Sequence, residues 1–415
     1  MPSSPVFYGW WVAAAFSVMV FVSAGVRHAV GPFLKPMVAD LGVDRGAFSL
    51  VIALGLFLYG AFMPWVGGLT DRFGARRVTA AGSVLLAASL ALTAYCQNLW
   101  QLALVYGVLA ALGLACTGPV VANAVVTRWF VRRRGTAVSL LGSAAMTGMS
   151  LLVPVVAWLI AVFDWRTAYL VLGAAVLVGM LPLCLFVVRD SPEEMGMRPD
   201  GDAVVAGAPA PLITRTPAGI ALRTVAFWQL GGSFFTCGFS MALVAAHGVP
   251  MLTDHGYTPM FASWVIGVLG ASSIVFTLTL GRLSDIFGPR PVLAGIYAGR
   301  AFIFAGLFLI RDNPAAMIGV AIAGGITLAG SMSMTSVLTA DIYGRYSVGS
   351  ILGVIFLVHQ TGAALGSWMA GALFEATGGY GVMFAIACAL LAAAGLVSLR
   401  VEREPRVLRW AARGA

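Results

Sequence analysis

The stretch GGLTDRFGARR, from Gly67 to Arg77, decides the fold of this sequence because a related stretch recurs in the second half of the chain. The second copy reads GRLSDIFGPR, from Gly281 to Arg290, and each copy follows a long apolar segment. Glycines let neighbouring membrane helices approach closely, an aspartate can cap a helix or pair with a cation, and arginines hold a loop on one side. The repeat predicts two similar halves, and a conformational role is expected for Gly67, Asp71, Arg72, Gly74, Arg76, Gly281, Asp285, Gly288 and Arg290.

Composition places the repeat in a membrane. The chain has 415 residues, of which 60% are hydrophobic and only 10% are charged, whereas soluble proteins carry about 25% charged residues. A membrane-spanning helix needs about 20 mostly apolar residues, and this rule finds twelve segments: 8–34, 47–67, 77–96, 99–124, 136–162, 166–188, 225–252, 260–281, 291–310, 314–339, 348–374 and 379–400. We predict an all-α membrane protein with an N-terminal six-helix half (1–188), a cytoplasmic linker (189–223), a C-terminal six-helix half (224–400) and a cytoplasmic tail (401–415).

Basic residues are unevenly shared between the loops on the two sides of these segments. If the N-terminus is cytoplasmic, the loop cations on the outer side are only Lys35, Arg45, Arg166 and Arg311. Cytoplasmic loops of membrane proteins carry the excess of lysine and arginine, so we predict a membrane protein with both termini cytoplasmic. The net charge of +9 then comes from basic residues in the cytoplasmic loops between spans, and no nucleic-acid partner is expected.

Cysteine usage and motif content argue against an enzyme. All five cysteines lie in apolar segments without metal-site spacing, and we interpret them as small packing residues outside any disulfide. The sequence contains no phosphate-binding loop, no catalytic pair of acids and no cluster of metal ligands at usable spacing. It predicts neither a cofactor nor a metal.

An arginine and a histidine interrupt the first apolar segment, in AGVRHAVG from Ala24 to Gly31. Lipid offers no hydrogen-bond partner to a charge, so intramembrane ionisable residues usually face a cavity. Arg27 is therefore a candidate ligand for an anionic substrate, with His28 beside it. The alternative is that Arg27, near the outer end of its helix, extends its stem to the lipid headgroups.

Arg300 lies deep in the ninth segment, where a cation is costly unless it faces a cavity or a partner. A guanidinium binds a carboxylate through two parallel hydrogen bonds, which makes Arg300 a second candidate. The alternative is an arginine bonded to backbone carbonyls.

His359 and His28 are candidates for proton coupling because histidine titrates near physiological pH. The alternative for His359 is a neutral ring bonded to a backbone carbonyl. The candidate substrate-binding residues are Arg27, His28, Asn123, His247, Arg300, His359 and Gln360.

Further motifs give the sequence a family resemblance. They are Tyr8-Gly9-Trp10-Trp11, Gly25-Val26-Arg27-His28, Arg128-Trp129-Phe130 with Arg133-Arg134-Gly135, and Asp190-Ser191-Pro192-Glu193-Glu194-Met195-Gly196. Together with the repeat, they resemble the major facilitator superfamily over essentially the whole chain, and within it the bacterial relatives of monocarboxylate and oxalate/formate transporters. The resemblance implies two parallel-related six-helix halves around a central cavity, operating by alternating access.

The departures from that resemblance concern the substrate charge. Monocarboxylate transporters usually carry an arginine and an acidic residue in the eighth span, where this sequence has Thr277 and Ser273. Their first-span lysine corresponds to His28, and His359 resembles in position the cavity lysine of oxalate/formate exchangers. The charge that binds an anion must therefore come from elsewhere, or the substrate is not a simple monocarboxylate.

Together with the resemblance, these observations predict secondary uptake of a small organic anion, a carboxylate, across the bacterial inner membrane by proton symport. Two alternatives within transport are anion exchange and proton-coupled export of an amphipathic compound. A transporter-like receptor that no longer transports is a different class, which the buried basic groups disfavour. The expected partners are the anion, the proton and the lipid bilayer, and the expected state is a monomer.

Overall fold

The computed structural model describes residues 7–43, 45–201, 215–310, 313–328 and 330–402, and within these ranges all regular structure is helical. The α-helices are α1 (Tyr8–His28), α2 (Val30–Leu41), α3 (Arg45–Phe73), α4 (Ala75–Thr93), α5 (Leu99–Leu102), α6 (Ala111–Cys116), α7 (Pro119–Trp129), α8 (Arg134–Val162), α9 (Trp165–Pro182), α10 (Ala218–Ala221), α11 (Val225–Asp254), α12 (Pro259–Phe287), α13 (Pro289–Leu309), α14 (Pro314–Leu328), α15 (Gly330–Tyr343), α16 (Val348–Thr377) and α17 (Gly381–Leu399). Two π-helical segments, Ala103–Ala110 and Leu183–Val187, and two 3-10 segments, Pro192–Met195 and Pro199–Gly201, complete the series. The predicted all-α fold is confirmed.

Eleven helical segments in the described ranges are long and apolar enough to cross a membrane. They cover every predicted span except the seventh, which lies within the 30-residue helix α11. A helix of that length is about 45 Å long, more than the roughly 30 Å of a hydrocarbon core. The chain is therefore a multi-pass membrane protein, consistent with the twelve predicted spans.

The first predicted span, 8–34, is wrong as a single helix. The structure ends α1 at His28 and begins α2 at Val30, with Ala29 between them. Pro32 accounts for the break, because a proline ring has no N–H and clashes with the carbonyl four residues earlier, here that of His28. Arg27 and His28 consequently occupy the last turn of α1, where the helix dipole favours positive charge.

The fourth predicted span is also interrupted. α6 ends at Cys116 and α7 begins at Pro119. In the fourth span the cause is Pro119, since the residue before a proline is disfavoured in a helix. At this interruption the hydroxyl of Ser23 in α1 donates to Thr117 Oγ1 at 2.8 Å.

The helices form two compact units. Unit 1 comprises residues 1–132, 144–213 and 345–353. Within it α1 packs against α7 and α9, α4 packs against α9, and α3 packs against Ala103–Ala110 and α6. The rings of Phe33 and Tyr169 stack with their centroids 3.9 Å apart and join α2 to α9.

Unit 2 comprises residues 133–143, 214–344 and 354–415. Within it α13 packs against α14 and α17, and α12 packs against α14. α16 approaches α11 closely, because Gly362 and Gly366 lie against the backbone of Phe235 and Phe239. The predicted halves, 1–188 and 224–400, differ from these units chiefly in two short segments, 133–143 and 345–353, which belong to the opposite units. The boundaries of the two repeated halves stay a prediction.

Close approach of backbones makes one motif glycine indispensable for packing. A Cβ atom on Gly67 would collide with the backbone of Gly349 in unit 1, whereas one on the adjacent Gly68 would meet open space. We expect Gly67→Ala to lower the apparent melting temperature of the purified protein, because overpacking typically costs about 1–3 kcal/mol. Gly68→Ala is the matched control, since it makes the same chemical change one residue further along α3. Equal melting temperatures for the two variants would contradict the expectation.

Candidate functional site

The aspartate of the first motif copy caps a helix and holds an arginine. In unit 1, Asp71 Oδ2 accepts the backbone N–H of Ser350, in the first turn of α16, at 2.7 Å. Its Oδ1 pairs with Arg128 Nη2 at 3.0 Å, and Arg128 is only 4% exposed. A carboxylate at a helix N-terminus satisfies N–H groups that lack partners within the helix and complements the helix dipole.

The aspartate of the second copy does the same work in unit 2. Asp285 accepts the backbone N–H groups of Gly135 and Thr136, in the first turn of α8, at 2.7 and 2.9 Å. It also accepts the hydroxyl of Thr136 at 2.6 Å. Gly281, one turn earlier in α12, lies against Gly135, as Gly67 lies against Gly349 in unit 1. The two copies of the sequence motif therefore make the same kinds of contact, one copy in each unit.

The remaining motif residues shape and fix the loops. Gly74 and Gly288 have φ of +86° and +88°, a region that glycine enters without steric cost. The Arg76 N–H donates to Asp190 Oδ1 at 2.9 Å, and the Arg72 guanidinium lies 5.0 Å from the centroid of the neighbouring Phe73 ring. Arg290 lies in a pocket beside Asp341 in unit 2. Their conformational role stays a prediction.

An acidic segment after the sixth span joins this network in unit 1. Glu193 pairs with Arg345 and accepts the hydroxyl of Tyr346 at 2.7 Å, and Arg345 also donates to the carbonyl of Arg128 at 3.0 Å. Burial tends to raise the pKa of the Glu193 carboxyl, but the hydrogen bond from Tyr346 and the charge of Arg345 outweigh it, and the pKa lies below its ordinary value of 4.5. Glu193 is therefore stabilised as a carboxylate.

This pKa shift predicts a pH dependence of stability. A carboxyl with a lowered folded-state pKa stabilises the fold fully above its unfolded pKa and loses that effect as the pH falls through the folded value. We expect the melting temperature of the wild type to exceed that of Glu193→Gln near neutrality, and the difference to shrink as the pH falls below about 4.5. Glu194→Gln is the control, because burial and Asp190 raise the pKa of Glu194. A difference for Glu193→Gln that does not vary with pH would contradict the assignment.

Arg27 turns inward to a pocket of unit 1. Its guanidinium carbon lies 4.9 Å from the centroid of the Tyr59 ring, a cation–π contact that gains strength when desolvated. The cavity volume is about 20 Å³, room for about one water molecule, and the other lining residues include Tyr106, Ile52 and Leu114. None of the hydrogen bonds and ion pairs found among the described residues involves Arg27. Arg27 therefore lines a pocket in the structure, and its role as a substrate ligand stays a prediction.

His28 and Asn123 are placed differently from Arg27. His28 Nδ1 lies 2.8 Å from the carbonyl oxygen of Ala24, one turn back in α1, so its ring is engaged by its own helix. Asn123 in α7 is 2% exposed, and among the described residues its Oδ1 has no hydrogen-bond partner. An unsatisfied buried acceptor usually costs free energy and calls for an explanation. Neither residue is among the residues that line the Arg27 pocket.

Arg300 lies in the core of unit 2, where it is 1% exposed. Its Nε donates to the carbonyl oxygen of Thr327 at 3.0 Å, and its Nη2 donates to the same oxygen. Nη1 lies 3.2 Å from Cys237 Sγ and 3.3 Å from Ser240 Oγ. The guanidinium thus binds the carbonyl near the end of α14, as the alternative interpretation expected.

His359 also lies in unit 2. Its ring lies between Phe234 and Phe356, with centroids 4.4 and 5.4 Å away. Its Nδ1 lies 3.1 Å from Gln360 Oε1. Arg300 and His359 therefore both contact α11, Arg300 at Cys237 and His359 at Phe234. The side chain of His247 lies outside the described residues.

The eighth span has hydroxyl residues at the two positions where monocarboxylate transporters usually carry an arginine and an acidic residue. Thr277, at the arginine position, donates to the carbonyl of Ser273 at 2.6 Å, and both residues are fully buried. Their hydroxyls thus serve the helix itself.

Sequence reasoning missed three residues of these two sites. Tyr59 and Tyr106 escaped notice because aromatic residues are common in membrane helices, and Cys237 because a lone apolar cysteine usually packs. A signal for Cys237 existed in Ser240 and Ser331, polar residues within the apolar seventh and tenth spans. Ser331 Oγ lies 3.0 Å from Cys237 Sγ, so serines of both spans lie near this thiol and Arg300.

Known proteins resemble this sequence over nearly its whole length. The sequence model of the Major Facilitator Superfamily matches residues 16–248 and 229–414. An MFS-type transporter of Bacillus subtilis strain 168 is 26% identical over 407 residues, covering 94% of each chain. Monocarboxylate transporter 13 of Bos taurus is 27% identical over 401 residues, covering 94% of this chain and 88% of that protein. Monocarboxylate transporter 11 of Homo sapiens is 25% identical over 411 residues, covering 95% and 83%.

A solved structure shares the fold. The proton:xylose symporter XylE, bound to 6-bromo-6-deoxy-D-glucose, matches 98% of this chain with a TM-score of 0.77 and 13% sequence identity, and 99% of that chain is covered. At that level of identity the likeness concerns the fold alone.

Proposed function

The chain belongs to the major facilitator superfamily, and on that premise we propose that it is a secondary active transporter that takes up a small organic anion, a carboxylate, by proton symport. The family is one of transport proteins, so the chain is a membrane transporter of a small molecule and not an enzyme. Alternating access of two halves is the mechanism expected for this fold. The further assignments are a monomer in a bacterial inner membrane with both termini cytoplasmic.

The observation that carries the anion assignment is the environment of Arg27. The guanidinium lies against Tyr59 in a pocket of unit 1, and none of the ion pairs among the described residues includes it. A cation in the membrane region is costly without a counter-charge. A carboxylate substrate supplies that charge and matches the planar guanidinium with two hydrogen bonds.

The pocket also bears on the charge of the anion. Apart from Arg27 and the two tyrosines, its lining is apolar, with Ile52, Leu56 and Leu114 among the contributors. A single cation in an apolar environment suits an anion with one carboxylate. The names of the mammalian relatives, monocarboxylate transporters, agree with this choice.

Proton coupling is assigned to histidine, with His359 as the coupling residue and His28 as the group beside Arg27. A nearby guanidinium disfavours the imidazolium form, and a bound carboxylate offsets that effect. Anion binding and protonation are thereby linked. Gln360 Oε1 lies 3.1 Å from His359 Nδ1, close enough to accept an N–H bond that orients the ring.

The test is uptake of a panel of labelled carboxylates into proteoliposomes, with and without an imposed pH gradient. We expect accumulation that depends on the gradient, together with alkalinisation outside the vesicles when substrate enters. Exchange between two loaded sides without any gradient-driven accumulation would replace symport by anion exchange. Gradient-driven loss of an amphipathic compound would replace uptake by export.

Orientation is tested by labelling of single cysteines. In a background lacking the five native cysteines, Gly219→Cys is expected to react with an impermeant thiol reagent only after cells are opened, because residue 219 lies in the predicted cytoplasmic linker. Residue 219 is exposed and has open space around it. Gln97→Cys, in a predicted outer loop, is the matched variant that should react in intact cells. The reverse pattern would invert the topology.

A further inference from the structure

The turn that interrupts the fourth span is hydrogen-bonded to α1 close to Arg27. Ser23, one helical turn before Arg27, donates its hydroxyl to Thr117 Oγ1 at 2.8 Å and lies 3.3 Å from the carbonyl oxygen of Thr117. Thr117 Oγ1 in turn donates to the carbonyl oxygen of Gly113 at 3.0 Å. Ser23 and Thr117 are 5% and 1% exposed. The pair therefore joins α1 to the end of α6 in the interior of unit 1.

The same turn lies against the tyrosine that contacts the Arg27 guanidinium. Gly118 has φ of −85° and ψ of −176°, an extended conformation that any residue adopts, so backbone conformation does not require a glycine here. A Cβ atom at this position would lie 3.2 Å from the hydroxyl oxygen of Tyr59 and 2.9 Å from the carbonyl oxygen of Leu114. Tyr59 is 3% exposed. The position of its ring therefore depends on the absence of a side chain at Gly118.

Proline and glycine together keep this turn open. In a continuous α-helix the N–H of Gly118 would donate to the carbonyl oxygen of Leu114, whereas here it donates to that of Ala115 at 3.3 Å. Pro119 has no N–H and disfavours a helical conformation at the residue before it. The sequence therefore builds the interruption locally, and the interruption brings Thr117 to α1.

The contact with a ring leaves the Arg27 guanidinium able to bind an anion. The ring attracts the cation through its quadrupole, and its face supplies no oxygen acceptor to the N–H groups. Four described arginines lie over a ring and also bind an oxygen acceptor, namely Arg128, Arg166, Arg300 and Arg345. Arg72 lies over the neighbouring Phe73 ring and is exposed. Arg27 lies over Tyr59, and the ion pairs found among the described residues do not include it.

From these contacts, and resting on the anion binding by Arg27 proposed above, we propose that the turn Thr117–Gly118 positions Arg27 for the substrate carboxylate. Thr117 fixes the end of α1 through Ser23, and Gly118 leaves room for Tyr59, whose ring holds the guanidinium. These four are positioning residues, and Arg27 itself binds the carboxylate. A guanidinium held in place before the anion arrives loses less conformational entropy on binding, which strengthens the binding.

The first test compares variants of Tyr59 in proteoliposomes, with labelled propanoate, lactate and pyruvate as probes. Tyr59→Leu is expected to raise the KM of uptake about 3- to 30-fold, the factor that corresponds to the loss of a cation–π contact, while the maximal rate per folded molecule is retained. Tyr59→Phe keeps the ring and should recover most of the lost affinity. A purely structural role for Tyr59 would lower the maximal rate and leave KM unchanged, and that result would overturn the proposal.

The second test addresses the turn itself. Gly118→Ala is expected to raise KM because its methyl group displaces the Tyr59 hydroxyl, whereas strain against Leu114 affects the melting temperature. Gly179→Ala, in α9 of unit 1, is the matched control, since a Cβ atom there meets open space. In a Tyr59→Leu background, Gly118→Ala should add no further rise in KM, because the hydroxyl that it displaces is already gone. Effects on KM that multiply independently would contradict the proposal.

The third test removes the hydrogen bond from α1 to the turn. Ser23→Ala is expected to raise KM without lowering the maximal rate, because the end of α1 is then no longer fixed by Thr117. Ser17→Ala is the matched control in the same helix, since the Ser17 hydroxyl donates to the carbonyl oxygen of Ala13 within α1 at 2.8 Å. An equal KM for the two serine variants would count against the role of Thr117.

Failure of this inference is distinguishable from failure of the proposed function. If the wild type takes up none of the three probes, or if Arg27→Ala takes them up normally, the anion site itself fails. If Arg27→Ala is inactive while Tyr59→Leu, Gly118→Ala and Ser23→Ala keep the wild-type KM, only the positioning of Arg27 by the turn fails.

Discussion

Arg27→Ala is expected to abolish carboxylate uptake while the protein still inserts and folds. The guanidinium lies at the edge of a pocket, over Tyr59, and forms none of the ion pairs found among the described residues. Its removal thus leaves no buried partner behind, and the main loss is the charge that attracts the substrate. Removing one side of a buried charge pair typically costs 3–5 kcal/mol, which corresponds to a loss of at least about a hundredfold in affinity.

Arg27→Lys distinguishes charge from shape. Lysine keeps the positive charge but loses the planar fork that matches a carboxylate, so uptake should fall strongly with a rise in KM. Arg166→Ala is the matched control, because Arg166 also lies over an aromatic ring of unit 1, that of Trp165 at 4.3 Å, but pairs with Asp40 at an exposed site. Binding of labelled substrate and the melting temperature should be measured for all three variants. Normal uptake by Arg27→Ala would remove Arg27 from the substrate site.

Arg300→Lys is expected to lower the stability of the protein as well as its transport. The guanidinium joins α13 to the carbonyl of Thr327 and to Cys237 and Ser240 of α11. An ammonium group cannot reach these positions at once. Hydrogen bonds to charged groups contribute about 1.5–3 kcal/mol each, so we expect a loss of about 3 kcal/mol or more, visible as a marked drop in melting temperature.

The same variant separates the two interpretations of Arg300. If Arg300 chiefly bound the substrate, Arg300→Lys would keep the wild-type melting temperature without substrate and lose only the stabilisation that substrate gives. Arg282→Lys is the control, since Arg282 is an exposed arginine of the same unit. An unchanged melting temperature for Arg300→Lys would falsify the structural role given to its hydrogen bonds.

The sequence predicted the parts of the fold that depend on composition and repetition. Apolar length found the spans because the bilayer fixes how long a helix must be, and the two motif copies predicted two aspartates with equivalent tasks. Prolines limited the accuracy, because Pro32 and Pro119 break helices that hydropathy alone treats as continuous. Hydropathy measures the mean polarity of a window and does not register where one N–H is missing.

The candidate site was predictable only in part, for a different reason. Hydropathy and spacing identified Arg27, Arg300 and His359 as intramembrane ionisable residues, but they do not tell which helices are neighbours. Arg300 and Cys237 are 63 positions apart, and their contact depends on how α13 packs against its neighbours. The sequence therefore identified the charged residues, whereas the residues that contact them were identified only in the structure.

The composition of the two units has a consequence for how the protein is made. Unit 1 needs residues 345–353, which carry the helix start that Asp71 caps, yet its other segments end at residue 213. A ribosome that adds about 5–20 residues per second takes roughly 7–26 seconds to cover the intervening chain. During that time Asp71 lacks the backbone N–H of Ser350 that it accepts in the finished protein. Unit 1 can therefore be completed only late in translation, and biogenesis of this transporter must tolerate an incomplete first unit until most of the second has been inserted.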